Sequence, residues 1–255
     1  MLPNRAGSTA SPLSDGMNIE QARRYSRHVA LAELGPEGQT RILNSVVALV
    51  VGNDDDLALQ TAALYLCCSG VRQFRVLVSS NQNAPEWLAA LEEQMPEVGF
   101  VRIPVGPAGS QWAAALEGCA VALRASFADD SFVDACRRRG IAAVVARVVS
   151  DEDGLPAQLD LLSLRPAANT LPSPVPSVPP SPPAPAPGPL AAAGSVTAGA
   201  MSACEALWLI VGRPLLGIPS EMGAAGVIRH LNVPLSLPHE APATHNISWH
   251  PVAPA

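Results

Sequence analysis

Apolar residues in this chain are grouped in runs whose lengths and spacing predict alternating strands and helices. Residues 45–52 form an almost uninterrupted apolar, largely β-branched run that ends in glycine, the pattern of a strand buried on both faces of a parallel sheet. Residues 57–69 then supply a crossover helix with Gly70 as its C-cap, and residues 74–78 supply a second strand. Together these segments predict a βαβ unit.

The same alternation continues as far as residue 149. Strands that alternate with helices in this way predict a doubly wound, Rossmann-like α/β fold with a mostly parallel sheet. The further helices are predicted at residues 85–94, 110–117 and 131–139, and the further strands at residues 99–105, 120–125 and 142–149.

A helical segment precedes the first strand. Ser14 or Asp15 is positioned to cap a helix that runs towards Ala32. The glycines and the proline within residues 35–38 are expected to end that helix, and a second helical turn is predicted at residues 39–43. The α/β sheet therefore follows an N-terminal helical segment.

Composition divides the rest of the chain. Eleven of the 24 residues from 166 to 189 are proline, so we interpret this stretch as a polyproline-type linker or loop, with recognition by a polyproline-reading partner as the alternative.

Residues 1–16 lack the apolar region of a signal peptide and are interpreted as a disordered leader. The predicted segments are the leader 1–16, an α/β domain 17–165, the proline-rich segment 166–189, a late helix of the same domain 190–217, and a tail 218–255 with an edge strand at 226–234.

The charged residues of the chain exclude some partners and some reaction mechanisms. The chain of 255 residues carries 16 basic and 22 acidic residues, a net charge of −6. Nucleic-acid binding needs clustered positive charge, so this balance argues against a nucleic-acid partner. All sixteen basic residues are arginines, which excludes lysine-dependent phosphate loops and Schiff-base chemistry.

The cysteines and the longest apolar stretch bear on location. Five cysteines, an odd number without a CxxC pair, indicate buried free thiols in a reducing cytoplasm. Residues 190–211 are apolar but contain Glu205, and a carboxylate in the middle of a membrane is costly. We therefore predict a buried helix there, no membrane association and a cytoplasmic protein.

Three separated stretches resemble one known family. They are Tyr25-Ser26-Arg27-His28 within RRYSRHVALAELGPEGQTRILNSVVALVVG, AALYLCCSGV at residues 62–71, and GSVTAGAMSACEALWLIVGRPLLG at residues 194–217. In this order they resemble the amino-terminal signature, first crossover helix and late helix of the ThiF/MoeB/HesA group, the bacterial relatives of ubiquitin-activating enzymes. The resemblance implies adenylation, with ATP and magnesium, of the C-terminal glycine of a ubiquitin-like sulfur carrier or a peptide.

The phosphate-binding loop of that family is only partly matched. Where the family has GxGGLG, this chain has Gly52-Asn53-Asp54-Asp55-Asp56-Leu57. Three adjacent carboxylates would repel a triphosphate unless a metal intervened. One interpretation is that Asp54, Asp55 and Asp56 cap the following helix and complement its dipole. The alternative is that they hold magnesium while Gly52 approaches ATP, which makes these four residues the candidate cofactor-binding residues.

Other parts of the family's chemistry are missing. The acidic residue that holds the ribose at the end of the second strand aligns with Val78, and the magnesium-binding aspartate of the DxTDN motif aligns with Phe127. No cysteine lies between Cys136 and Cys204 to act as the acceptor, and the four zinc-ligand cysteines of many relatives are absent. We therefore expect no cofactor and no metal, with ATP and magnesium bound only under the alternative.

Arg27 is the candidate catalytic residue that remains. It matches the family arginine that reaches across a dimer interface towards the neighbouring subunit's nucleotide, a role that suits a permanently charged guanidinium. The alternative is that Arg24 and Arg27 form surface ion pairs with Glu20 or Glu33.

The sequence thus predicts a degenerate family member that acts as a non-catalytic subunit or scaffold. It would form a homodimer, or a heterodimer with an active homologue, and a ubiquitin-like protein or peptide is a further candidate partner. The alternatives are a divergent ATP-dependent adenylyltransferase and a peptide-binding module that recognises a peptide at a sheet edge.

Overall fold

A computed structural model describes residues 16–52, 57–81, 83–106, 111–125, 130–150, 156–165, 189–212, 227–234 and 247–251. The predicted leader (apart from Gly16), almost all of the proline-rich segment and most of the tail lie outside these residues. The same holds for Asp54, Asp55, Asp56 and Phe127.

One mixed sheet of eight strands organises the described residues. The strands are β1 (Val46–Val50), β2 (Gln73–Ser79), β3 (Gly99–Val105), β4 (Val121–Arg124), β5 (Ala142–Ser150), β6 (Pro156–Arg165), β7 (Val227–Pro234) and β8 (Ile247–Pro251). Their order across the sheet is β3-β2-β1-β4-β5-β6-β7-β8. The first five in this order pair in parallel, and β6, β7 and β8 extend the sheet antiparallel. The predicted Rossmann-like, mostly parallel α/β fold is confirmed.

Helices cover both faces of the parallel part. They are α1 (Ile19–Arg24), α2 (Ser26–Val29), α3 (Gly35–Leu43), α4 (Leu57–Ser69), α5 (Glu86–Gln94), α6 (Trp112–Leu116), α7 (Asp130–Arg138) and α8 (Pro189–Val211). Side chains of α4, α5 and α8 share one core cluster with Val47 and Leu49 of β1. Side chains of α6 and α7 share the other cluster with Ala48 and Val50. Because β1 is buried on both faces, its sequence is continuously apolar.

The N-terminal helical segment differs from the prediction in three ways. Asn18, instead of Ser14 or Asp15, caps α1 and forms a reciprocal capping box with Gln21. The helix ends at Tyr25 instead of continuing towards Ala32. The expected break at residues 35–38 is also wrong, because these residues open α3, with Pro36 in the first turn. Proline is tolerated there because the first N–H groups of a helix need no intrahelical acceptor.

The antiparallel extension was only partly predicted. β6 has no counterpart in the sequence prediction, although its Leu159 and Leu161 belong to the core on the α8 side of the sheet. The strand predicted at residues 226–234 exists as β7, but it is not an edge strand, because β6 and β8 pair with its two sides. The late helix ends at Val211, and residues 213–217 lie outside the described part of the chain.

Helix α8 is a core helix. Among the described residues, its segment Ala192–Val211 is the one with the length and hydropathy of a membrane span. However, half of that segment is buried within the fold, where α8 packs against α4, β5 and β6. Glu205 lies in it with only 5% of its surface exposed, so the buried helix expected from the sequence is what the structure contains.

Candidate functional site

The order of the strands identifies one edge of the sheet as the place for a ligand. From β1 the chain continues through β2 and β3 on one side, and it then returns to place β4 on the other side of β1. In open α/β sheets, ligands bind beyond the carboxyl ends of the strands at such a switch point. Gly52, which is half-buried, lies two residues after the end of β1 at this edge, and α4 begins soon afterwards at Leu57.

A small cavity lies at this edge and contains about 180 Å³ of empty space, part of it open to solvent. Only described residues bound this space, and residues 53–56 and 126–129, which follow β1 and β4 at the same edge, lie outside the described ranges. Apart from Arg124 and Ser202, its lining is apolar. The lining residues are Ala58, Leu59 and Ala62 of α4, Leu123, Arg124 and Ala125 at the end of β4, Ala146 of β5 and Ser202 of α8.

Arg124 is a residue that the sequence analysis did not select. It ends β4, and its guanidinium carbon lies 5.9 Å from the centre of the Phe132 ring, within cation–π range. Phe132 belongs to the core cluster on the α6 and α7 side of the sheet, so the guanidinium lies on the face opposite α4 and α8. Among the described residues, no group of three or more His, Cys, Asp and Glu side chains is arranged to hold a metal.

The position that holds the ribose in the resembling family is occupied by a core residue. Val78, near the end of β2, is 6% exposed and belongs to the same apolar cluster as the fully buried Leu88 of α5. Ala84 and Trp87 pack against this cluster. A valine side chain can neither donate nor accept a hydrogen bond, so this position offers no partner to a sugar hydroxyl.

Arg27 is exposed on α2 and lies far from Gly52 of the same chain. Tyr25 is next to the C-terminal end of α4, because a Cβ placed on Gly70 would be 3.1 Å from Tyr25 Cζ. Gly52 precedes the other end of that 13-residue helix, which is about 20 Å long. The structure therefore does not bring the two candidates together within one chain.

The alternative explanation for the two arginines is wrong for Arg24. Arg24 Nη1 lies 3.1 Å from Glu97 Oε1, so its partner is neither Glu20 nor Glu33. No ion pair joins Arg27 to any residue in the described ranges.

Three of the five thiols are buried as predicted, but the prediction is wrong for Cys68 and Cys204, which are exposed. Burial raises the pKa of Cys67 to about 12 and also raises the pKa of Cys119 and Cys136. At Cys204, burial and then the neighbouring Glu205 carboxylate raise the pKa. The thiolate is the nucleophile, and a raised pKa leaves less thiolate at neutral pH. None of these four cysteines is therefore activated for thioester formation.

This pattern predicts how the native chain reacts with a thiol reagent such as DTNB at pH 8. Cys68, which is exposed, should react first. Cys204 should follow more slowly and accelerate as the pH rises above the ordinary thiol range, because its raised pKa leaves less thiolate. Cys67, Cys119 and Cys136, all buried, should react only after unfolding in guanidinium chloride. Cys68→Ser is the control and should remove the fast phase, whereas rapid labelling of Cys136 in the native chain would contradict the assignment.

Comparison with known proteins supports the fold class. No family model and no curated protein matches this sequence. Among solved structures, selenomethionine PaaA is similar with a TM-score of 0.59 and 12% identity, covering 95% of this chain and 77% of that one. Escherichia coli MccB has a TM-score of 0.58 and 12% identity, covering 94% and 72%. MccB solved with ATP has a TM-score of 0.56 and 10% identity, covering 96% and 74%.

PaaA and MccB are ThiF/MoeB-like enzymes, related to the ubiquitin-activating enzymes. The chain therefore has the fold of that group, as the three sequence stretches led us to expect. At 10–12% identity, the likeness establishes the fold alone.

Proposed function

We propose that this chain is the non-catalytic subunit of a ThiF/MoeB-like pair. Its own nucleotide site is closed, and its Arg27 completes the ATP site of an active homologue. The observation that carries the proposal is the small, largely apolar cavity at the switch point of the sheet, where a functional enzyme would need room and polar partners for ATP.

One feature of that edge supports a closed site. Val78 offers no hydrogen bond to a ribose and is instead part of the core. An adenylyltransferase that depends on MgATP would lose affinity from this change, because an unpaired sugar hydroxyl is unfavourable.

The position of Arg27 supports a role in a second chain. Arg27 is exposed and is separated from Gly52 by the length of α4. An arginine side chain is much shorter than the roughly 20 Å of that helix. Arg27 therefore acts on a nucleotide that a partner holds, where its planar, permanently charged group binds phosphate oxygens well.

A divergent ATP-dependent adenylyltransferase is the second candidate. The arrangement β1, Gly52, α4 at the switch point favours it, as does the similarity to MccB solved with ATP. In this hypothesis Asp54, Asp55 and Asp56 hold the magnesium ion. The two candidates differ in whether the chain binds a nucleotide on its own.

Isothermal titration of the purified full chain with ATP and magnesium chloride distinguishes the two candidates. We expect no saturable heat up to about 1 mM ATP, which corresponds to a binding free energy weaker than about −4 kcal/mol. A cooperative thermal melt and a sizing profile of the same sample serve as controls for folding and association. Saturable, magnesium-dependent binding at micromolar concentration would overturn the closed site and support the adenylyltransferase.

A further inference from the structure

Gln39 is a polar side chain with none of its surface exposed, and both ends of its amide are hydrogen-bonded. Its Nε2 donates to the carbonyl oxygen of Ser69 at the C-terminal end of α4, over 2.9 Å. Its Oε1 lies 3.0 Å from Nδ1 of His28 in α2. A buried amide bonded at both ends fixes the elements that it joins, because an unpaired partner left in the core is costly.

The first of these bonds determines the second. Since Nε2 faces Ser69, the oxygen of the same amide faces His28, and an amide oxygen only accepts. Nδ1 of His28 therefore carries a proton and donates it to Gln39. His28 is thus the donor and Gln39 the acceptor, and a side chain without a donor at position 28 removes the hydrogen bond.

Gly70 and the stacked rings of Tyr25 and His28 lie around the same Gln39 amide. Gly70 has a φ of +111°, and a Cβ there would lie 2.8 Å from Gln39 Nε2. Tyr25 is 4% exposed and stacks on the His28 ring with 5.9 Å between ring centres. We call Tyr25, His28, Gln39, Ser69 and Gly70 the Gln39 joint.

We infer that Gln39 is a positioning residue for Arg27, which it holds through His28. This inference rests on the proposed function, in which Arg27 completes a partner's ATP site. Arg27 directly precedes His28, and α2 has only four residues, so the helix has little stability of its own. The hydrogen bond to His28 and the burial of Tyr25 therefore fix the backbone from which Arg27 extends.

Variants of His28 separate the hydrogen bond from the packing. His28→Phe keeps an aromatic ring to stack on Tyr25 but removes the donor. His28→Asn restores an amide N–H at about the position of Nδ1 and is the rescue variant. Gln39→Leu removes both bonds at once. Arg41→Ala is the matched control on α3, because it removes a bond from Arg41 to the Val211 carbonyl without touching α2.

The assay is adenylation by the full chain in complex with an active ThiF/MoeB-like homologue from the same genome. We expect His28→Phe and Gln39→Leu to lower kcat about 10-fold to 100-fold, as a misplaced group does, with KM for ATP within about twofold of wild type. His28→Asn should recover most of the loss, and Arg41→Ala should leave kcat unchanged. In an Arg27→Ala background, His28→Phe should have no further effect, since residues acting through one another are not additive.

The outcomes separate this inference from the proposed function. If Arg27→Ala lowers kcat but His28→Phe does not, or if their effects add, the positioning role of the Gln39 joint is overturned alone. An equal loss in Arg41→Ala would also overturn it, as a sign of general destabilisation. If Arg27→Ala itself has no effect, the proposed function fails and this inference fails with it. Should Gln39→Leu not fold, the two His28 variants carry the test.

Discussion

Gly199→Val should lower the melting temperature of the chain by roughly 5–10 °C. A Cβ on Gly199 would overlap the carbonyl oxygen of Ala58 and lie 2.7 Å from Thr61 Cβ. Both neighbours belong to α4, and a backbone oxygen cannot rotate away as a side chain can. The substitution therefore forces α8 and α4 apart, which costs about 1–3 kcal/mol as overpacking of a dense core usually does.

Circular dichroism or calorimetry of the full chain measures this effect. Gly199→Ala should also destabilise the chain, although alanine favours a helix over glycine by about 1 kcal/mol. Thr197→Ala is the control, because Thr197 is exposed and its hydroxyl bonds only to Ala193 of its own helix. The free energy of unfolding of Thr197→Ala should differ from that of the wild type by no more than about 0.5 kcal/mol. A wild-type melting temperature for Gly199→Val would contradict the close crossing of the two helices.

The same crossing borders the cavity at the switch point. Ala58 lies beside Gly199 and also lines the cavity, as does Ser202 of α8. Small residues on α8 thus allow the first turn of α4 to approach closely. The contact at Gly199 depends on α4, which is far away in the chain, so no local pattern in the sequence reports it.

The parallel part of the fold was readable from sequence because its signals are local. β1 is apolar throughout because both its faces are buried, and α4 and β3 have the predicted bounds. The end of α1 at Tyr25 was missed, since this side chain is buried beside Gly70, a tertiary contact that no local pattern reports. The internal position of β7 was missed for the same reason, because it depends on pairing with β8.

The candidate site residues were found in two ways, some from motif resemblance in the sequence and one only from the structure. Arg27 and Gly52 were selected from short stretches of sequence, and the structure then placed them at opposite ends of α4. Arg124 was missed because the cavity that it lines is assembled from α4, β4, β5 and α8. The roles of Asp54, Asp55 and Asp56 stay predictions, since these residues lie outside the described ranges.

Arg27→Ala should lower kcat for adenylation at least about 100-fold in the complex with an active homologue, because a charged donor aimed at transition-state charge contributes this much or more. Arg23→Ala is the matched control. Arg23 is an exposed arginine of α1, and no ion pair joins it to another residue in the described ranges, so its substitution should change stability by no more than about 0.5 kcal/mol. Arg27→Lys should recover little, since lysine lacks the planar fork of arginine.

The most direct test of the account is the kcat of that complex assembled with wild-type, Arg27→Ala or Arg23→Ala chain. The complexes should have equal stoichiometry by sizing. The account predicts the large loss with Arg27→Ala alone. Equal kcat for Arg27→Ala and wild type, or the lack of a complex with any active homologue of the same genome, would contradict it.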